Sequence, residues 1–245
     1  MSVRYSLLSR TAIFSCLQAK EIVIDPFRPE NVGTNSYDVT LGEYYWREQN
    51  GDSAGLPALR VAEYLYNPYD EDHVQKLWNL ERAQPAERVL ASQLGRGLLK
   101  NIRPKDQVIL IRPQEAILAH TLEFIGGCSN DVTTMMKARS SAGRNFLEVA
   151  RCAGLGDISY CNRWTLEVTN NSRFNTIPLV VGRRIGQVVF FKTDPLEETD
   201  PGYISKGKYQ SATIEETKAN WKPEDMLPKM YLDWEVTEGQ EAGDE

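Results

Sequence analysis

From Asp106 onward the chain is a succession of short β-branched and aromatic runs cut apart by turn residues. Runs at 107–111, 116–120, 132–138, 164–169, 176–181 and 187–191 are separated at Arg112-Pro113, Gly126-Gly127, Gly154 to Asp157, Asn170-Asn171 and Gly182. Short strands at this spacing predict a mostly β fold, a distorted jelly roll or β-barrel. Ahead of them, residues 11–19 predict a short helix with Ile13, Phe14 and Leu17 at helical spacing and Ser9 or Thr11 as its cap. Residues 21–25 read as a strand stopped by Pro26 and Pro29, and residues 36–42 as a strand ending at a glycine turn.

Residues 46–105 are less regular. Asn50-Gly51-Asp52 reads as a turn, and 72–78 and 85–99 read as helices, the second with Val89, Leu90, Leu94 and Leu98 at helical spacing. This stretch is expected to be a helical insertion, a packing elaboration or subunit contact, on a β domain spanning 1–210. Residues 211–245 are expected to form a C-terminal extension whose acidic end, 235–245, is disordered.

The 245 residues suit one large domain, and a net charge of −6 argues against a general nucleic-acid binder while leaving room for a local cationic cluster. Cys16, Cys128, Cys152 and Cys161 form no C-x-x-C pair, the start MSVRYSLLSR lacks the apolar core of a signal peptide, and no apolar run approaches the ~20 residues of a membrane span. Free thiols and a soluble, cytoplasmic protein with no membrane partner are the expectation. The two histidines, His73 and His120, stand in neither H-x-E nor H-x-x-x-H, and P-C-x-x-C is missing, so the sequence lacks the zinc-deaminase signature. A supported Ser-His-Asp triad and a P-loop are absent too.

Three stretches carry chemistry. Arg139-Ser140-Ser141-Ala142-Gly143-Arg144 sets two guanidinium groups around two hydroxyls and small residues, a composition that grips phosphate oxygens; a surface turn with incidental charge has the same spacing. In Trp164-Thr165-Leu166-Glu167-Val168-Thr169, strand alternation puts Thr165, Glu167 and Thr169 on one face. A carboxylate there, in a half-buried pocket, has its pKa raised by desolvation and suits general acid–base work; the other reading is the exposed face of an edge strand. Lys206-Gly207-Lys208-Tyr209-Gln210 reads as a segment that folds over an anionic ligand, or as solvated linker.

Taken together, these stretches resemble the dCTP deaminase family, a branch of the dUTPase-like superfamily. LLSRTAIFSCL, IVIDPF and NSYDVTLG resemble its opening. ARSSAGRNFL resembles its G-R-S-S-x-x-R turn, and AGLGDISYCNRWTLEVTN its A-G-F-I-D-P-G-F-x-G-x-x-T-L-E-x-x-N segment. GRRIGQVVF resembles its P-G-x-x-I-G-Q strand, and KGKYQ its K-Y-Q tail. Glutamate three residues before Asn170 resembles the deaminase branch rather than the dUTPase branch.

The resemblance implies hydrolytic, zinc-independent deamination of dCTP to dUTP and ammonia within pyrimidine deoxynucleotide metabolism. Glu167 is implied as the base and then the acid, and Ser140 and Arg144 as its helpers. It implies Arg139, Ser140, Ser141 and Arg144 on the triphosphate, Asp157 on the sugar 3′-hydroxyl and the backbone of Thr165 and Leu166, up to Glu167, on the pyrimidine edge. It implies Gln187, Tyr203 and Lys208 as the residues that complete the nucleotide pocket. Mg²⁺ is implied as bound through the triphosphate, and a homotrimer with sites shared between subunits as the assembly. A dUTP diphosphatase, a bifunctional deaminase–diphosphatase and a non-catalytic nucleotide sensor are the competing readings. The chain departs from the family at Gly156-Asp157-Ile158-Ser159-Tyr160, where the family has I-D-P-G-F, at Ala138 and at Ala212. dCMP, a modified cytosine nucleotide, or both dCTP and dUTP therefore stay open as substrates.

Overall fold

The computed structural model describes residues 6–49, 65–97, 99–151, 153–197, 199–200, 202–203, 207–210 and 212–241. The opening elements fall where the sequence puts them. Helix α1 (Arg10–Gln18) is capped by the Ser9 hydroxyl, which accepts from the Ala12 N–H, and its Ile13 and Cys16 face the core. Strands β1 (Ile22–Asp25) and β2 (Tyr37–Thr40) follow.

The stretch expected to be a helical insertion starts instead as sheet. Strands β3 (Tyr44–Glu48) and β4 (Trp78–Arg82) pair with each other. Only α2 (Glu71–Leu77) and two short helices, α3 (Ala86–Val89) and α4 (Ala91–Gly95), match the expected helices, with β5 (Gln84–Pro85) between. β3 shows no period-two alternation to mark it as a strand, because Tyr45 and Trp46 are both buried, one against each of two apolar clusters. The turn expected at Asn50-Gly51-Asp52 lies outside the described residues.

The later strands are β6 (Gln107–Ile111), β7 (Ala116–Gly127), β8 (Val132–Ala138), β9 (Leu147–Glu148), β10 (Leu155–Gly156), β11 (Cys161–Asn170), β12 (Ile177–Val180) and β13 (Arg184–Lys192). A short helix, α5 (Ser140–Gly143), follows β8. Strand β7 runs through the turn expected at Gly126-Gly127, because both glycines are paired to β1.

The strands form three antiparallel sheets, not one closed barrel among the described residues. The largest runs β4-β3-β7-β11-β9 with β1 added along the far half of β7; the others run β10-β8-β13-β2 and β12-β6-β5. The main core lies between sheets and takes Tyr37, Val39, Ile109, Ile117, Leu166, Val188 and Phe190. Glu123 of β7, wholly buried, joins two sheets by accepting the Thr40 N–H at 2.9 Å and the Thr40 hydroxyl at 2.8 Å, while burial raises its pKa.

The C-terminal extension carries α6 (Ile214–Asn220), ahead of the stretch expected to be disordered, and α7 (Trp234–Glu241), which forms within that stretch up to the last described residue. Apolar residues scattered among its charges give it something to bury. Trp221, Met226 and Leu227 form a second apolar cluster with Trp46 and Leu118 on the outer face of the large sheet. The Trp46 indole donates to the Pro223 carbonyl at 2.8 Å, and the Lys218 ammonium sits 2.8 Å from Asp25. Cys16, Cys128 and Cys161 are free thiols, and Cys152 is outside the described residues.

Candidate active site

Strand β11 places the central carboxylate. Its alternation sends Leu166 and Val168 into the main core and leaves Thr165 and Glu167 half-buried on the outer face. β7 pairs along one edge, with Leu118 directly opposite Glu167, whereas β9 pairs only Thr169 and Asn170 on the other. Among the described pairings, no strand therefore covers the second backbone edge of residues 165–167. A cavity of about 400 Å³ lies against this face, within the range of small-molecule sites. Thr165, Glu167, Asp157 and Tyr203 all line it.

Glu167 is held ready for proton exchange. Desolvation raises its pKa; its own backbone N–H and the nearby Arg151 guanidinium pull the other way and do not cancel the rise. Its Oε2 is shielded from bulk water, and no described protein group donates to it. A carboxylate in this condition releases and takes up a proton closer to neutral pH than an exposed one. Arg151, which no sequence motif marks, is fixed beside it by donating to the Thr169 hydroxyl at 2.9 and 3.2 Å.

Asp157 reaches the cavity through a tight turn. The Tyr160 N–H bonds the Asp157 carbonyl at 3.0 Å, closing a turn over Ile158 and Ser159. Ser159 takes φ +74°, the left-handed conformation for which glycine is the favoured residue at this turn position. Gly156 is required just before it: a Cβ there would lie 2.3 Å from the Thr134 hydroxyl and 2.6 Å from the Trp164 ring. Trp164 and Tyr160 also line the cavity, and Tyr160 packs edge-on against Tyr203 at 5.1 Å.

The residues expected on phosphate form a separate group. Arg139 and Ser141 line a second cavity of about 400 Å³, together with Arg184. Ser140, Ser141 and Arg144 are exposed on and just after α5, and Ser140 and Arg144 line neither cavity. Gln187 is on β13 in another sheet, where it donates to Asp38 at 3.0 Å. Asp38 also holds Arg139 at 3.3 Å and Arg184 at 3.0 Å. One carboxylate thus organises the cationic group, within the SYDVTLG segment.

Lys208 is ion-paired to Asp233 of the C-terminal extension, and the neighbouring Lys206 lies outside the described residues. Lys229 reinforces this contact: its N–H donates to the Tyr209 hydroxyl at 3.2 Å and its ammonium to the Lys208 carbonyl at 3.1 Å. Tyr209 lines the Glu167 cavity together with Leu118, Met226 and Pro228, and the last three were not marked by the sequence. Tyr209 stands in the KGKYQ segment, so a signal for it existed; Met226 and Pro228 lie in a segment with no motif.

Neither histidine takes part. His120 is buried between Tyr44 and Trp221, and burial lowers its pKa to about 4. His73 is half-exposed beside Asp70. Among the described residues no three His, Cys, Asp or Glu side chains gather around one point, and no helix is long and apolar enough to cross a membrane.

Known proteins resemble the chain over most of its length. The dCTP deaminase-like family model matches residues 7–193. A Methanococcus maripaludis protein named dCTP deaminase, dUMP-forming, is 30% identical over 213 residues, covering 84% of this chain and 91% of that one. A Methanocaldococcus jannaschii protein of the same name is 28% identical, covering 85% and 94%. The solved 2′-deoxycytidine 5′-triphosphate deaminase of Agrobacterium tumefaciens aligns with a TM-score of 0.49 at 16% identity; the match covers 77% of this chain and 48% of that protein's length. The dUMP-forming names are at odds with dUTP as the end product expected from the sequence. By the extent of the family match and the identity to its relatives, the chain belongs to the dCTP deaminase-like family.

Proposed function

We propose that the chain deaminates dCTP and carries the product on to dUMP. The observation that carries the reading is the Glu167 carboxylate, half-buried, with a raised pKa and an unengaged oxygen facing a cavity of nucleoside-binding size. Glu167 takes a proton from water as the oxygen attacks C4 of the cytosine ring. It delivers that proton to N3, then takes the proton of the new C4 hydroxyl and passes it to the exocyclic nitrogen, so that the C4 carbonyl forms, the C4–N bond breaks and ammonia leaves. The open backbone edge of residues 165–167 reads the polar edge of the pyrimidine, and Asp157 and Tyr203 take the sugar side. Attack of a second water on the resulting dUTP releases pyrophosphate and leaves dUMP, the product named for the relatives.

The triphosphate binds the cationic group around Arg139, Ser140, Ser141 and Arg144, with Gln187 beside it. These residues do not line the Glu167 cavity of their own chain. The reading therefore places them in the site of a neighbouring copy, in a homotrimer with shared sites. Mg²⁺ fits this arrangement as a cation held chiefly by the substrate's phosphate oxygens, since no described cluster of protein ligands would hold it alone.

The test is product analysis after incubation with Mg²⁺ and a panel of cytosine and uracil deoxynucleotides. Ammonia and dUMP from dCTP support the proposal, and ammonia with dUTP as the end product limits it to deamination. Pyrophosphate from dUTP without ammonia from any cytosine nucleotide replaces it with a diphosphatase, and binding without turnover with a nucleotide sensor. Glu167→Gln is expected to bind nucleotide and turn over at least ~100-fold more slowly.

A further inference from the structure

The Glu167 cavity has a wall that the family match does not include. The matched region ends at residue 193, and Met226 and Pro228, more than thirty residues beyond it, line the cavity. Met226 is only 3% exposed and packs against Leu118, the residue paired directly across from Glu167. It sits on one turn of 3₁₀ helix (Pro223–Met226) that is fastened at several points. The Lys222 N–H donates to Asp225 at 3.0 Å, the Leu227 N–H bonds Glu224, and the Trp46 indole donates to Pro223. Just upstream, Trp221 packs against His120 at 4.8 Å and lies under the Arg163 guanidinium at 4.5 Å. The segment is built into the fold, and its single fully buried apolar side chain is aimed at the carboxylate's pocket.

We propose that Met226 is a specificity-determining residue of this site: its thioether forms the apolar wall against which the pyrimidine ring packs, and with Leu118 it sets how large a base the pocket admits. A methionine suits that position. It is polarisable, makes favourable contacts with aromatic rings and adapts to their outline. The inference rests on the Glu167 cavity being the base pocket, and it adds that the C-terminal extension of the same chain completes that pocket.

Methyl NMR tests it without disturbing the wall. The protein is labelled at the methionine ε-methyls, of which the sequence has five, in the Glu167→Gln variant so that dCTP binds without turning over. The Met226 resonance is assigned by its loss in Met226→Leu. On saturation with dCTP and Mg²⁺, ring-current shielding moves the Met226 methyl further than those of Met135, Met136 and Met230. A Met226 methyl that stays in place while calorimetry shows nucleotide bound overturns the inference and leaves the proposed activity standing. No binding, together with no ammonia from the wild-type protein, overturns both.

A kinetic readout follows on the wild-type background. Met226→Ala is expected to raise kcat/KM for 5-substituted cytosine nucleotides relative to dCTP by about tenfold, the scale at which pocket volume discriminates substrates. An unchanged ratio in a folded variant overturns the size-setting role. If Met226→Ala does not fold, the methyl measurement decides alone.

Discussion

Glu167, the proposed acid–base group, is a side chain whose burial works against stability. Its folded-state pKa is raised by desolvation, so the folded protein disfavours the ionised form. The resulting destabilisation is complete above the folded pKa and disappears as pH falls through it toward the ordinary carboxylate range. Glu167→Gln is therefore expected to melt above the wild type at pH 7–8, with the gap closing in acid; calorimetric melts across pH check this, and a constant gap counts against it. If the ionised form is the base, the acidic limb of kcat/KM lies above the range of an exposed carboxylate. Ser159 makes the opposite kind of trade. At φ +74° an L-residue is strained by roughly 1–2 kcal/mol, and glycine's extra unfolded-state freedom costs about 0.5–1 kcal/mol. Ser159→Gly is expected to stabilise by about 0.5–1 kcal/mol, read in denaturant melts, with the aim of Asp157 unchanged.

The organising element is β11, and it works because its two faces and its two edges have different neighbours. Its inner face supplies core, its outer face supplies Glu167, and its last residue fastens two segments, 111–112 and 172–175. Asn170 Nδ2 lies 2.7–3.0 Å from the carbonyls of Asn175, Ile111 and Arg112, and its Oδ1 accepts the Ser172 N–H at 2.9 Å. Asn170→Asp would set a carboxylate against buried carbonyls, an uncompensated loss of about 3–5 kcal/mol. A drop in Tm of roughly 10 °C is the expected scale for a chain of this size. Much of this element is legible in the sequence: period-two alternation in WTLEVT identifies the face of Glu167, and the asparagine ends the strand. β3 is not legible in the same way. Tyr45 faces the main core while Trp46 faces the second cluster, so both faces are apolar and the alternation that betrays a half-exposed strand is absent. The length of β7 is hidden because its glycine end reads as a turn.

At the scale of the whole molecule, the proposed site residues fall into two groups: Thr165, Glu167, Asp157 and Tyr203 line one cavity, and Arg139 and Ser141 line another, with Ser140 and Arg144 beside it on the α5 segment. If neighbouring copies join them, Glu167→Gln and Arg144→Ala subunits are each inactive alone but regain activity when unfolded, mixed and refolded together, since some sites then combine an intact Glu167 with an intact Arg144. Recovery of deaminase activity over the unmixed controls checks this, alongside a trimer mass by light scattering; no recovery in mixed trimers would confine each site to one chain. The sequence by itself determined the succession of short strands, the α1 helix with Ser9 as one of two candidate caps, and the face on which Glu167 stands, because each depends on residues a few positions apart. Only the tertiary structure decided what covers that face. Trp46 bonds Pro223 across 177 positions, Lys208 meets Asp233, and Met226 reaches Leu118. Contacts between segments so distant leave no period in the chain, and they form only because the large sheet exposes an apolar outer face that the C-terminal extension buries.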